Sequence, residues 1–269
     1  FYTRLNYMND INTIYIGYDH REAIAYDVLK ESILDHTSEP VNIIPLYQED
    51  LRRINFYRRS SYVKDNNNYD TIDNKPFSTD FSFTRFLVPF LNRLSGYALF
   101  MDCDMLVRSD ISEVFNYANQ WEDKAIWCVK HNHIPNTSTK MDDKVQTIYS
   151  RKNWSSFVLW NCSHEAHKNL TIDDVNLKAG WYLHNFRWLD DDEIGEMPTE
   201  WNWLDGYSPE EIEAKNVHFT SGGPWFRSWK PTTSSDAKYA LEWNILYDGI
   251  TLEESLGKNK EIKWEKTYV

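Results

Sequence analysis

At 269 residues the chain is long enough to bury a substantial core in one α/β domain. Its net charge of −12, with no basic face evident in the sequence to meet a phosphate backbone, argues against a nucleic-acid partner. Cys103, Cys128 and Cys162 are odd in number and lack CxxC spacing, so neither a disulfide framework nor a zinc site is implied and a reducing compartment is expected. There is no transmembrane segment by length and apolarity, and the opening FYTRLNYMND has no leader pattern.

Asn12 to Gly17, NTIYIG, predicts a strand that ends in a turn. The stretch YDHREAIAYDVLKESILDH after it predicts a helix with Ala23, Ile24, Tyr26, Asp27, Val28 and Ile33 on one face. Pro40 to Leu46, PVNIIPL, predicts a second strand, so the chain opens on a βαβ unit with parallel pairing. From Asp50 to Lys75 it turns polar and Asn-rich, which reads as a mobile surface loop. FSFTRFLVPFLNRL, Phe81 to Leu94, is helix-compatible, with Pro89 as a kink or boundary. Tyr97 to Leu106 is expected to be one central strand, followed by strands at Lys124 to Val129 and Phe157 to Trp160. From Leu241 onward a helix and an irregular arm are expected. The domain reading is a single unit over 1–269, with its core at about 12–229 and a C-terminal arm at 230–269.

Chemistry concentrates in a few short blocks. In LFMDCDML, Asp102 and Asp104 follow an apolar run, at what would be the carboxyl edge of a parallel sheet, where ligands bind. On a strand, alternation would send both acids to one side and Cys103 to the other. Two converging carboxylates form a hard-oxygen site for Mg²⁺ or Mn²⁺, the alternative being a solvated turn. His218 stands at the head of HFTSGGPW, and an imidazole as third ligand would favour Mn²⁺. Gly222 and Gly223 would let the backbone approach a phosphate.

Arg21 in GYDHRE and Arg85 in FSFTRF fit either a structural salt bridge or a contact to a donor phosphate. In RKNWSSF, Asn153, Ser155 and Ser156 either donate to sugar hydroxyls or cap a strand. The acids from Asp190 to Glu193 form either a solvated face or the lining of a cleft that grips sugar hydroxyls. Aromatic residues make up 16% of the chain, and of these Trp201, Trp203 and Trp225 are the ones expected to stack on a sugar or a base.

Taken in order, IYIGYD, FSFTRF, MDCD, CVKH, RKNWSSFVLWNC, WLDDDEIG, EWNWL and HFTSGGPWF resemble bacterial and viral GT-A glycosyltransferases related to family 8, over roughly Asn12 to Trp229. The resemblance implies a Rossmann-like α/β domain with a mainly parallel sheet. It also implies transfer of a sugar from a nucleotide diphosphate, usually UDP, to a glycan or other hydroxyl acceptor, with Mn²⁺ or Mg²⁺ and retention of configuration. It makes Asp102, Asp104 and His218 the metal ligands. Tyr15, Gly17, Tyr18 and Asp19 fall at the base and ribose, Arg85 beside the donor, and Asp191, Asp192 and Glu193 at the reaction face. The implied setting is the cytoplasm of a bacterial or virus-infected cell. That family commonly has a Lys just before the final Pro-Trp, where Gly223 stands here, so Arg227, Lys230 or backbone amides would steady the leaving diphosphate. The rival readings are a carbohydrate-binding or catalytically silent module and a sugar-nucleotide pyrophosphorylase, although GYDHREAIA is not the Gly-rich basic loop that the last requires.

Overall fold

The computed structural model describes residues 11–120, 123–132, 139–140, 144–145 and 151–255. β1 (Asn12–Gly17) is β-branched and aromatic, and buried from Ile14 onward. It leads through a short 3-10 turn into the helix Ala23–Asp35, which buries Ala25, Tyr26, Val28, Leu29, Ser32 and Ile33. Ile24 and Asp27, expected on that face, are exposed, because the 3.6-residue period centres the buried stripe on Ala25, Val28, Leu29, Ser32 and Ile33. β2 (Val41–Leu46) pairs with β1 in parallel, as the βαβ pattern predicts.

Residues 50–75 are not a loop. The helix Gln48–Arg53 precedes a meander of β3 (Ser61–Lys64), β4 (Asn67–Asp70) and β5 (Pro76–Phe77). Its anchor is a buried ion pair, Arg59 to Asp70 at 2.6 Å, in which Arg59 also donates to the carbonyls of Val175 and Lys178. An arginine paired this way brings little net stability but tolerates one geometry only, which is how a polar stretch becomes ordered. Farther on, FSFTRFLVPFLNRL forms a 3-10 turn, Thr84–Leu87, and a single helical turn, Val88–Leu91, with Pro89 in its first positions.

The expected central strand is two strands in two sheets. β6 (Tyr97–Met101) pairs in parallel with β1, and β7 (Met105–Val107) belongs elsewhere. Asp102, Cys103 and Asp104 form the link between them. β8 (Ile126–Cys128) and β11 (Phe157–Asn161) fall where expected. Between them, β9 (Thr139–Lys140) and β10 (Lys144–Val145) form a small antiparallel pair. With β12 (Ile194–Glu196), the main sheet runs β12-β8-β11-β6-β1-β2; all of its pairings are parallel except those of β11, which runs against both neighbours. Helices flank this mainly parallel sheet.

A smaller sheet joins β13 (Trp203–Leu204), β14 (Asn216–His218) and β7. The helix Ser234–Ser255 packs over it, and Tyr239 and Trp243 share a second core with Val28, Trp203 and Phe219. The proposed arm thus begins as a docked helix, and 256–269 lie outside the described residues. The three cysteines are buried and free. Among the described residues, no helix is long and apolar enough to cross a membrane.

Candidate active site

β6 delivers Asp102 to the carboxyl edge of the main sheet, where the Asp102 amide donates to the Ser156 carbonyl at 2.9 Å. The chain then crosses to β7, which pairs antiparallel with β14 in a register that sets His218 opposite Met105. The Phe219 amide donates to the Asp104 carbonyl at 2.9 Å. Two sheets therefore meet at this link, and one ligand atom from each of Asp102, Asp104 and His218 falls within 4.8 Å of the others. His218 Nε2 lies 3.4 Å from Asp104 Oδ1 and has no hydrogen-bond partner, although it is buried. Three buried donors, two of them carboxylates, suit Mn²⁺ or Mg²⁺, with the imidazole tilting the choice to Mn²⁺. Cys103, between the acids, points into the core toward Glu22, its sulfur 3.7 Å from Oε2, and burial pushes its thiol well above the ordinary range.

Around the cluster, Arg85 pairs with Asp102 at 2.8 Å, donates to the Ser155 carbonyl at 2.9 Å, and stacks between Phe81 and Phe100. Gly17 belongs to this support: a Cβ there would collide with the Phe81 ring. Arg85, Asp102, Arg151, Asn153, Ser155 and Ser156 line a narrow cleft of about 70 Å³. Ligand pockets begin at roughly 300 Å³, so a nucleotide sugar would have to widen it. A groove of about 790 Å³ between Ile54, Phe90, Leu94 and Ile172 contains none of the candidate residues.

Several expectations change here. The Ser155 hydroxyl lies 2.9 Å from His184 Nδ1, and Ser156 Oγ donates to the Asn153 carbonyl at 2.7 Å, so both hydroxyls brace the protein rather than point at a sugar. Burial, with Arg85 nearby, holds the His184 ring neutral, well below the usual histidine range. Asn153 keeps a buried side-chain amide nitrogen with no hydrogen-bond partner. Tyr15 is turned away: its hydroxyl donates to Asn92 Oδ1 at 3.4 Å, and it lines a cavity with Ile11, Pro40 and Val41 at the amino end of the strands. Tyr18 packs edge-on against Tyr26 and Tyr47.

Arg21 grips Asp19 through two side-chain hydrogen bonds, the salt-bridge alternative for this arginine. Burial raises the Asp19 carboxyl, but the bonds from Arg21 outweigh it and hold the group below its ordinary value. Asp191 and Asp192 are exposed, and Asp191 pairs with Arg151 at the cleft wall. Glu193 folds back to accept the Asp190 amide at 2.8 Å, a cap on its own turn.

Trp201 and Trp203 are fully buried core residues and cannot stack on a ligand. Trp225 packs edge-on against Phe219 and beside Trp243, under a Gly223 whose Cβ would overlap the indole. Gly222 adopts a left-handed φ of 95° and donates its amide to the Phe219 carbonyl, so that amide is not offered to a phosphate. Two residues that sequence reasoning missed are Asn202, fully buried and 3.0 Å from His218 Nδ1, and Asp205, whose carboxyl burial pushes up to about 7. Asn202 lay in view inside EWNWL, masked by its aromatic neighbours.

No family model matches the chain. The protein CDI of Arabidopsis thaliana is 42% identical over 258 residues, covering 94% of this chain and 89% of the relative. Among solved structures, the bifunctional glycosyltransferase WbbM superposes with a TM-score of 0.57 at 14% identity over 88% of this chain. The glycosyltransferase GlyE of Streptococcus pneumoniae gives 0.52 at 12% over 91%. The galactosyltransferase LgtC, solved with donor and acceptor sugar analogues, gives 0.52 at 10% over 88% of this chain and 95% of its own. The chain spans about half the length of WbbM and 64% of GlyE. It has the glycosyltransferase fold, and it belongs to the family of the Arabidopsis protein CDI.

Proposed function

We propose that the protein is a metal-dependent glycosyltransferase of the family-8 type, acting as one domain. It would move a sugar from a nucleotide diphosphate, most simply a UDP-sugar, to a hydroxyl of a glycan, with retention of configuration. The observation that carries this reading is the convergence of Asp102, Asp104 and His218 within 4.8 Å at the carboxyl edge of the sheet. These residues would hold Mn²⁺ or Mg²⁺, which when bound supplies positive charge against the negative charge growing on the leaving diphosphate.

The chain's own groups do the rest. Arg85 holds the Asp102 carboxylate by an ion pair at the lining of the cleft. The unpartnered amide nitrogen of Asn153 is a donor for a donor-sugar or phosphate oxygen. Asp191, held to the cleft wall by Arg151, and Asp192 beside it are the carboxylates we assign to the positive charge that develops on the sugar ring as its bond to the diphosphate oxygen breaks. Arg227 and Lys230, both exposed on the chain after Trp225, are the cations for the departing diphosphate. Transfer forms the bond from the acceptor oxygen to the anomeric carbon and releases the nucleoside diphosphate and a proton.

UDP release from UDP-sugars, titrated with Mn²⁺, tests the assignment. Asp104→Ala should lose at least 100-fold in metal-dependent turnover while keeping its fold. Turnover unchanged by Asp104→Ala or by a chelator would overturn it. Calorimetric binding of a glycan with no metal-dependent heat from UDP or GDP would instead favour a silent carbohydrate-binding module.

A further inference from the structure

From the hydrogen bonds behind the cluster, we infer that Asn202 is a positioning residue that fixes the tautomer of His218 and thereby aims a bare Nε2 lone pair at Asp104. This rests on the metal reading above and adds a residue to it. Asn202 is fully buried immediately before β13, which pairs with β14 and so sets Asn202 beside the imidazole. Its side-chain oxygen lies 3.0 Å from His218 Nδ1. Its side-chain nitrogen lies 3.0 Å from Ser156 Oγ and 3.3 Å from the Asn153 carbonyl oxygen.

Those two neighbours decide which end of the amide is which. A carbonyl oxygen only accepts, so the atom facing Asn153 must be the NH₂. Ser156 Oγ gives its proton to the same carbonyl at 2.7 Å and is left as an acceptor, which again calls for the NH₂. The Asn202 oxygen is therefore the end that faces His218, and it can only accept. His218 Nδ1 must carry a proton, and in the neutral ring Nε2 is then a lone pair 3.4 Å from a carboxylate oxygen. Two electron-rich atoms that close repel unless a proton or a cation lies between them, and a divalent ion is the cation that two carboxylates and an imidazole suit.

The chain of support is traceable to one backbone feature. Asn153 adopts a left-handed conformation with φ of 65°, tolerated by asparagine, and so turns its carbonyl to receive both Ser156 and Asn202. In sequence, Asn153 and Ser156 looked like sugar contacts; in the fold the Asn153 backbone carbonyl and the Ser156 hydroxyl orient Asn202, and Asn202 orients the ligand. Outer partners of metal-bound histidines typically change metal affinity by 10–100-fold when removed.

The test uses the full chain and Mn²⁺ itself. In the metal-free wild-type protein, long-range ¹H–¹⁵N correlation of the imidazoles should place the His218 proton on Nδ1, with the signal assigned by its loss in His218→Ala. Mn²⁺ affinity, read by the loss of the free-ion electron paramagnetic signal, should fall 10–100-fold in Asn202→Leu, which cannot accept. Asn202→Asp keeps an acceptor for Nδ1 but loses the amide donor to Asn153 and Ser156, so it should retain more affinity than Asn202→Leu, because the imidazole keeps its orienting bond. A proton on Nε2 in wild type would overturn the inference while leaving the metal site standing. Equal affinities in wild type and Asn202→Leu would do so too, as would equal losses in Asn202→Leu and Asn202→Asp, which would mark a packing role. Absence of Mn²⁺ binding by wild type would instead overturn the metal reading, and the imidazole spectrum would still decide whether Asn202 sets the tautomer.

Discussion

Replacing Arg85 with methionine separates the structural from the functional demand on Asp102. The two side chains are 7% and 8% exposed and 2.8 Å apart. Methionine fills similar space but leaves the Asp102 carboxylate buried without its cation, and the Ser155 carbonyl without its donor. Breaking a buried pair on one side costs about 3–5 kcal/mol. Unfolding entropy for a chain of this length corresponds to a shift of about 2 °C per kcal/mol, so Tm should fall by roughly 5–9 °C in metal-free buffer. Because Arg85 also repels a cation held by Asp102, the variant should bind Mn²⁺ more tightly than wild type. Scanning calorimetry with chelator and then with millimolar Mn²⁺ should therefore show the gap narrowing when metal is present, by mass action. A fall of less than 1 °C would refute the buried-pair argument. A gap that Mn²⁺ leaves unchanged or widens would refute the placing of metal against Asp102.

Two other outcomes follow from the same structure. In Gly223→Ala the new methyl must displace the Trp225 indole, so we expect a destabilisation of about 1–3 kcal/mol and a changed tryptophan emission. An unperturbed emission and Tm would show that the loop yields without the ring. Burial holds His167 at about 4, below the 6.5 of an exposed histidine, although its Nε2 lies 3.2 Å from the Ala125 carbonyl. Between pH 6.5 and 4 the unfolded chain binds the extra proton, so this contribution, on the order of 3 kcal/mol, is present above pH 6.5 and is lost as the pH falls through that window. Denaturant melts of His167→Phe should show a flatter acid limb than wild type, and parallel limbs would contradict the assignment.

The local elements that were legible in sequence are those whose burial follows a short period. NTIYIG and PVNIIPL read correctly as parallel strands because an apolar β-branched run flanked by polar turns has few other uses. The acids of MDCD were recognisable from the apolar run before them, and His218 was placed with them through resemblance. The polar segment 50–75 misled because composition reports only apolar burial, whereas its order comes from Arg59 reaching Asp70 and two carbonyls more than a hundred residues away. Trp201 and Trp203 misled because a ring beside a motif looks the same in sequence whether it faces a ligand or the core.

By itself the sequence determined the βαβ opening, the acidic pair after its apolar run, and the acidity that leaves any anionic ligand dependent on a few local cations. Only the tertiary structure decided that the supposed central strand breaks at Asp102, sending β6 into one sheet and β7 into another. That break brings His218 to Asp104, because antiparallel pairing of β7 with β14 fixes the register over a separation of more than a hundred residues. It also decided that Ser155, Ser156 and Asn202 support the site from behind. Hydrogen-bond partners are set by where a buried polar group finds its complement, and no local pattern in the chain encodes that.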